Sequence, residues 1–561
     1  MDPAKSLKPH DKTRKRLLIV ALSSLLLLIG TVAGILIHKR SSGHGVPSSS
    51  VSPAESIKAV CKETPYPDAC FSSISALAPP NTIDPEVILK LSLQVVVTEI
   101  SKLTSLPDSL AAKSTNPRTR KALAVCKTVL EDAVVYVNDS ISSAEAGKSG
   151  EILSVANIGD VWTWLSAASV NHETCLDALR EIKSSLEDDV VAAMRNSSEF
   201  TSNSLAIVTN ISGVLEEFEL PIHQGRRLLG ESGYPEWVGA GVRRLLQVER
   251  PTPDVTVAKD GTGDYRTLKE AAKAVPKKSK KRFVIYVKSG KYVENVILDT
   301  DRWNVMIYGD GKDKTILSGS LNFVDGTPTY DSATFTVTGK GFIAKDIRFE
   351  NTAGPAKLQA VALNSRSDTS IFYRCSFDGF QDTLLADCQR QFFRDCDITG
   401  TIDFIFGHAA AVFQNCNIRP RQPLPNQYNI ITAQGKYKPN LNSAFSLHRC
   451  SITPLEKLTV PTYLGRPWKN CSTTVVMQSF IGPFLDPMGW IERVKGIDPP
   501  STIFYGEYQN RGAGSATDKR VTWAGYHPRI TANQARKFSV GRLLEGGKWL
   551  RKAKVDYDML I

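Results

Sequence analysis

Four short segments, FYRCSF, FFRDCDI, VFQNCNI and LHRCSI, set Cys375, Cys396, Cys416 and Cys450 in one slot of a β-like pattern, and VVMQSFI repeats it without the cysteine. Cys375 and Cys396 are 21 residues apart and Cys396 and Cys416 are 20 apart; the next interval is longer, as an inserted loop makes it. Short apolar runs returning every ~20 to 25 residues mark a solenoid in which one period is one coil. From Pro253 onward, short Val/Ile/Phe runs alternate with Gly, Asn, Asp and Thr, as in RFVIYVKSGKYVENVIL. The pattern predicts an all-β, right-handed parallel β-helix over residues 253–561. A β-sandwich predicts shorter spacings and alternating hairpins.

The period gives meaning to two acids lodged among apolar residues, Asp382 in GFQDTL and Asp403 in DFIFG. They are 21 positions apart, and Gln359 in QAVAL precedes Gln381 by 22. Adjacent coils stack as parallel strands about 4.8 Å apart, so residues one period apart share a face. The spacing therefore predicts a column of Gln359, then Gln381 with Asp382, then Asp403. Two partly desolvated carboxylates this close cannot both ionise comfortably; one keeps its proton and the other its charge. That pair suits general-acid and nucleophile chemistry, and the glutamine amides are donors for a developing oxyanion. A lone Asp in a solenoid turn is ordinary; the register shared with both glutamines points to chemistry. In YLGRPWKN, Arg466 can hold a carboxylate through two parallel hydrogen bonds, and Trp468 offers a flat face for a sugar ring.

Upstream, the texture is helical. Segments such as PEVILKLSLQVVVTEISKL and LAVCKTVLEDAVVYVNDSISSA repeat apolar residues at three- and four-residue steps, predicting an all-α four-helix bundle over 54–219. Before it, residues 1–53 hold a basic tail, an apolar run from Leu17 to Ile37 and a Ser-rich linker. About 20 apolar residues cross a bilayer. Lys5, Lys8, Lys12, Arg14, Lys15 and Arg16 before the run keep the N-terminus cytoplasmic. The run reads first as a signal anchor and next as a cleaved signal peptide, with the remainder exported to the cell exterior.

Export makes disulfides possible. Cys61 and Cys70 flank a Pro-containing hairpin, and Cys126 and Cys175 sit on separate predicted helices that a bridge could clamp. Asn138, Asn196, Asn210 and Asn470 each open an Asn-x-Ser/Thr glycosylation triplet. Between the two domains, residues 220–252 carry Arg-Arg-Leu-Leu twice, at Arg226–Arg227 and Arg243–Arg244, in a Gly- and Pro-containing setting. Accessible dibasic pairs in such a linker suit a processing protease. The formal net charge of +12 favours a polyanionic partner. Nucleic acid would need a concentrated basic groove with stacking aromatics, which export makes remote.

With GKYVENV, QAVAL, GFQDTL, DFIFG and LGRPW in this order over Pro253 to Leu550, the chain resembles pectin methylesterase, a carbohydrate esterase of plant-type cell walls. The N-terminal bundle resembles the pectin methylesterase inhibitor domain, four-cysteine layout included. The resemblance implies that Asp403 attacks the methyl-ester carbonyl of a galacturonate unit in homogalacturonan. Asp382 is implied as the acid that protonates methanol and then the base that activates water. Gln381 and Gln359 are implied as oxyanion donors, Arg466 as the partner of Asp403 and substrate, and Trp468 and Thr329 as substrate contacts. A Cys396–Cys416 disulfide is implied as well, while Cys375, Cys388, Cys450 and Cys471 stay unassigned. No metal or organic cofactor is implied. The partners implied are pectin, a processing protease and inhibitor proteins, with the mature domain a monomer.

Some positions depart from the family pattern. Phe380 and Leu385 stand where Tyr is common, LADC replaces a different segment, His408 replaces a frequent Asn, and the tail after Leu550 diverges. None removes a catalytic side chain. A β-helical glycosidase or lyase on the same polymer could also use paired carboxylates, and it would create new reducing ends where the esterase releases methanol. A non-catalytic pectin-binding inhibitor is disfavoured by the intact Asp382, Asp403 and Arg466. A serine esterase is disfavoured because the chain has no Gly-x-Ser-x-Gly.

Overall fold

The computed structural model describes residues 52–217 and 251–561, apart from 81, 83, 146–154 and 551–556. The apolar run 17–37 and the two Arg-Arg pairs lie outside the described residues. Among those described, no helix is long and apolar enough to cross a membrane. Residues from Pro53 to Ile561 form one compact unit.

Helices α1 (Pro53–Lys62), α2 (Pro67–Ser75), α3 (Pro85–Leu103), α4 (Leu106–Lys113), α5 (Pro117–Glu145), α6 (Val155–Glu181) and α7 (Glu187–Glu217) build the N-terminal part. Four of them are long and make the bundle; α1, α2 and α4 are short additions. Helix α3 shows why the sequence folds this way. Asp84 caps it by accepting the Glu86 N–H, and Pro85 stands at its first position, where no N–H is needed. Ile88, Leu89, Leu93, Val96 and Ile100 then return at three- and four-residue steps and are all buried. Cys61 is joined to Cys70, and Cys126 on α5 to Cys175 on α6. The second bridge closes a separation of 49 residues. Loop-closure entropy makes such a link worth about 4 kcal/mol. Replacing both cysteines by serine is expected to destabilise the bundle by about that much, read as a lower urea midpoint.

From Val255 onward every named strand pair is parallel, in three sheets of eleven, seven and eight strands. Each coil adds a strand to each face, which is the architecture of a parallel β-helix. In the seven-stranded sheet Leu363 pairs with Leu384 and Leu384 with Ile405, so 21 residues make one coil here. Rings of like residues stack inside: Phe372 on Phe393 at 4.7 Å and Phe393 on Phe413 at 4.6 Å between ring centres. Those stacked rings are the Phe of the repeat.

The cysteine slot has its own backbone cause. The residue just before it is left-handed in every copy: Arg374, Asp395, Asn415, Arg449 and Gln478 have φ of 54°, 54°, 56°, 55° and 52°. One such residue turns the chain from the eleven-stranded sheet into the eight-stranded one and aims the next side chain into the core. Where the slot holds Ser479, its hydroxyl donates to Leu447 O at 3.1 Å, one coil back.

The same geometry overturns the expected Cys396–Cys416 bridge. Both thiols are free and buried, as are Cys375, Cys388, Cys450 and Cys471. Cys396 Sγ lies 3.3 Å from Phe372 O and Cys416 Sγ 3.6 Å from Phe393 O, each pointing at a carbonyl one coil back. Each thiol is taken up by that hydrogen bond, and no covalent link joins the two rungs.

Candidate active site

At the entry edge of the seven-stranded sheet, Asp382 and Asp403 each stand two residues before a strand, Leu384–Ala386 and Ile405–Gly407. The pairing of Leu384 with Ile405 puts the two acids on adjacent rungs, about 4.8 Å apart along the backbone. Both are left-handed, with φ of 62° and 50°. Asp tolerates that conformation better than most residues, which accounts for a short acid at each turn. They are 8% and 7% exposed, so each carboxyl opens to a cleft without being solvated by bulk water.

Arg466, directly after the strand Thr462–Gly465, grips Asp403 with both ends of its fork: Nε to Oδ1 at 2.9 Å and Nη2 to Oδ2 at 2.6 Å. Asp403 is thereby held as an oriented anion. Asp382 has no such clamp. Burial pushes its carboxyl well above the ordinary range, the charge of Asp403 pushes it further, and Glu181 adds to this; Arg466 and Arg493 pull back less. The pair is therefore asymmetric: Arg466 clamps one carboxylate, and burial with the neighbouring charge favours the protonated form of the other. This is the asymmetry that covalent and acid–base steps require.

A cavity of about 510 Å³ opens over this pair, and Gln359, Gln381, Thr329 and Trp468 line it. Ala360 N–H bonds to Gln381 O, the parallel-ladder link that sets Gln359 opposite Gln381, one rung below it, as the 22-residue spacing requires. Gln359 reaches the cavity, with a buried Oε1 that has no partner. Trp468 forms one wall, its ring 6.0 Å from Phe406 and 4.8 Å from His408. Leu385 packs in the same apolar floor with Phe406 and Ala433.

The remaining wall comes from the bundle. Thr329 Oγ1 and N–H both donate to Glu181 on α6. Lys469 Nζ donates to Glu173 and Asp177, also on α6. Arg366, with a fully buried side chain, donates to Asp132 on α5, to Asn171 on α6 and to Asp387 of its own sheet. Beyond the cleft, Trp164 Nε1–H donates to Asp368 at 3.0 Å and Arg390 pairs with Asp160 at 2.8 Å. Helix α6 thus lies across the opening above the two aspartates.

The sequence reading missed Lys469, Arg366, Arg493 and the three α6 acids. The contacts of Arg366 and Lys469 with the bundle, and of Glu181 with Thr329, join residues 148 to 296 positions apart with no periodicity to betray them; the Lys-Asn after Arg-Pro-Trp was the nearest signal. The four glycosylation candidates are exposed: Asn138 on α5, Asn196 and Asn210 on α7, and Asn470 in the loop after Trp468.

The family model described as Pectinesterase matches residues 254–547, and the one described as Plant invertase/pectin methylesterase inhibitor matches 55–207. Over 538 residues the chain is 56% identical to pectinesterase 3 of Phaseolus vulgaris, covering 94% of this chain and 91% of that one. Pectinesterase 1 of Arabidopsis thaliana is 52% identical over 517 residues, covering 90% and 88%. Among solved structures, pectin methylesterase from carrot matches with a TM-score of 0.54 at 46% identity, over 56% of this chain and 99% of that one.

Proposed function

The chain belongs to the pectinesterase family, and from that premise we propose that its β-helix hydrolyses galacturonate methyl esters in pectin while its bundle keeps the site shut until the linker is cut. The observation that carries the reading is the Arg466 fork on Asp403 beside Asp382, whose carboxyl burial and the Asp403 charge push upward.

Chemistry follows from that asymmetry. An Asp403 carboxylate oxygen attacks the ester carbonyl carbon with the lone pair that Arg466 leaves open, and the carbonyl electrons move onto oxygen, where Gln381 and Gln359 amides donate. As the tetrahedral species collapses, the C–O bond to the methoxy group breaks and Asp382 supplies the proton that makes methanol. An anhydride now joins Asp403 to the polymer. Asp382, ionised, takes a proton from water; the resulting hydroxide opens the anhydride and restores both acids. Trp468 stacks on the sugar ring during these steps.

For the bundle, the supporting observations are the α6 carboxylates on Thr329 and Lys469 and the cleft they cover. Residues 54–219 act as a pro-region, 220–252 as the linker and 253–561 as the catalytic domain. A protease cuts at Arg226–Arg227 or Arg243–Arg244 within the secretory pathway, and the domain works in the cell wall as a monomer. The carrot chain corresponds to 56% of this one, the share its β-helix occupies, so that fold stands without a bundle. The test is methanol release from methylated pectin by the uncut chain and by the same chain cut in the linker. A rise of at least tenfold on cutting is expected; equal release before and after cutting would refute the closed pro-form.

A further inference from the structure

Lys469 directly follows the sugar-stacking tryptophan, and its ammonium lies 5.2 Å from the centre of the Trp468 ring. Its Nζ meets Glu173 Oε1 at 2.6 Å and Asp177 Oδ1 at 2.5 Å, with the side chain 14% exposed. Both acids belong to α6, and among the described residues no acid of the β-helix pairs with Lys469. Two other cations are placed differently: Arg466 is held by Asp403 and Arg366 pairs with Asp387 at 3.0 Å, both acids of the β-helix. Lys469 alone of these three loses every ionic partner when the bundle leaves.

A cation stripped of its anions in a half-buried wall is a receptor for another anion. The substrate offers one kind. A methylated unit is neutral, whereas a unit already hydrolysed carries a carboxylate, the same group that Glu173 and Asp177 present. Resting on the pectinesterase reading above, we propose that Lys469 in the freed β-helix is a subsite for a free carboxylate of the polymer, beside the ester under attack. In the uncut chain Glu173 and Asp177 stand in for that carboxylate. The freed domain therefore favours esters next to units that are already de-esterified.

The pairings of α6 agree with this role. Burial opposes the charge of Glu173, yet Lys469 and Arg180 overcome it and hold its carboxyl at about 2. It is an anion at any pH a cell wall reaches, as a polymer carboxylate largely is.

The experiment compares wild type, Lys469→Gln and Lys469→Arg, each cut in the linker, freed of its bundle and checked for fold by circular dichroism. Methanol release is measured on fully methylated pectin and on half de-esterified pectin. In Lys469→Gln the ratio of kcat/KM on the second substrate to that on the first is expected to fall about tenfold, and inhibition by polygalacturonate to weaken by a similar factor. Lys469→Arg should keep the ratio within threefold of wild type. A ratio unchanged within twofold in a folded Lys469→Gln domain overturns the subsite and leaves the esterase reading intact. No methanol from the wild-type domain on either polymer overturns both. Should Lys469→Gln not fold, Lys469→Arg against Lys469→Met decides by the same ratio.

Discussion

Asp403→Asn in the freed β-helix is expected to lower methanol release from methylated pectin by at least about 10³-fold, because an amide cannot serve as the attacking oxyanion. The variant should stay folded. Asn is at ease at a φ of 50°, so the turn before Ile405–Gly407 keeps its backbone. Arg466 would lose its ionic partner at a partly exposed site, a cost of about 1 to 3 kcal/mol, which a solenoid of this size can absorb. Asp382→Asn should be nearly as inactive for a different reason: methanol would have to leave without its proton. A variant at either position that retained a tenth of wild-type turnover would exclude the two-aspartate mechanism.

Opening the pro-form without a protease is the second large effect. Glu173→Gln and Asp177→Asn, introduced together into the uncut chain, are expected to raise methanol release by at least tenfold. These two acids hold Lys469, and breaking buried charged contacts at an interface costs roughly 2 to 5 kcal/mol. Unchanged latency in the double variant would mean that α6 covers the cleft without gripping it.

The closure should also depend on pH, with a sign set by opposing groups. Burial raises Glu181. A group raised in the closed state stabilises that state fully below its ordinary range and loses the contribution as pH rises through the higher value. Glu173 is depressed to about 2, so its contribution is present above the ordinary carboxylate range and is lost only as pH falls toward 2. Between pH 4 and pH 7, then, Glu181 dominates. Latency of the uncut chain should be tighter at pH 4 and looser at pH 7; the reverse trend would contradict these assignments.

The solenoid was readable because its period is a physical length. One coil needs a fixed number of residues, so Asp382 and Asp403, 21 apart, had to share a face. The bundle was readable because buried positions such as Ile88, Leu89 and Leu93 recur at the helical step. Gln359 and Gln381, 22 apart, were readable on the same ground and stand opposite each other. Cysteine spacing misled: Cys396 and Cys416 do lie one coil apart, but each thiol donates to a carbonyl one coil back and stays free. The lid was invisible: Glu181 meets Thr329 across 148 positions of chain, and only the folded surfaces bring them together.

Two neighbouring rungs carrying one protonated and one ionised aspartate underlie every step of the chemistry. Infrared difference spectra of the intact chain at pH 6 test this directly, taking wild type minus Asp382→Asn and wild type minus Asp403→Asn. The first difference should contain the carbonyl band of a protonated carboxylic acid, and the second should contain carboxylate bands from Asp403. Loss of a protonated-acid band in neither difference, or assignment of that band to Asp403, would contradict the account.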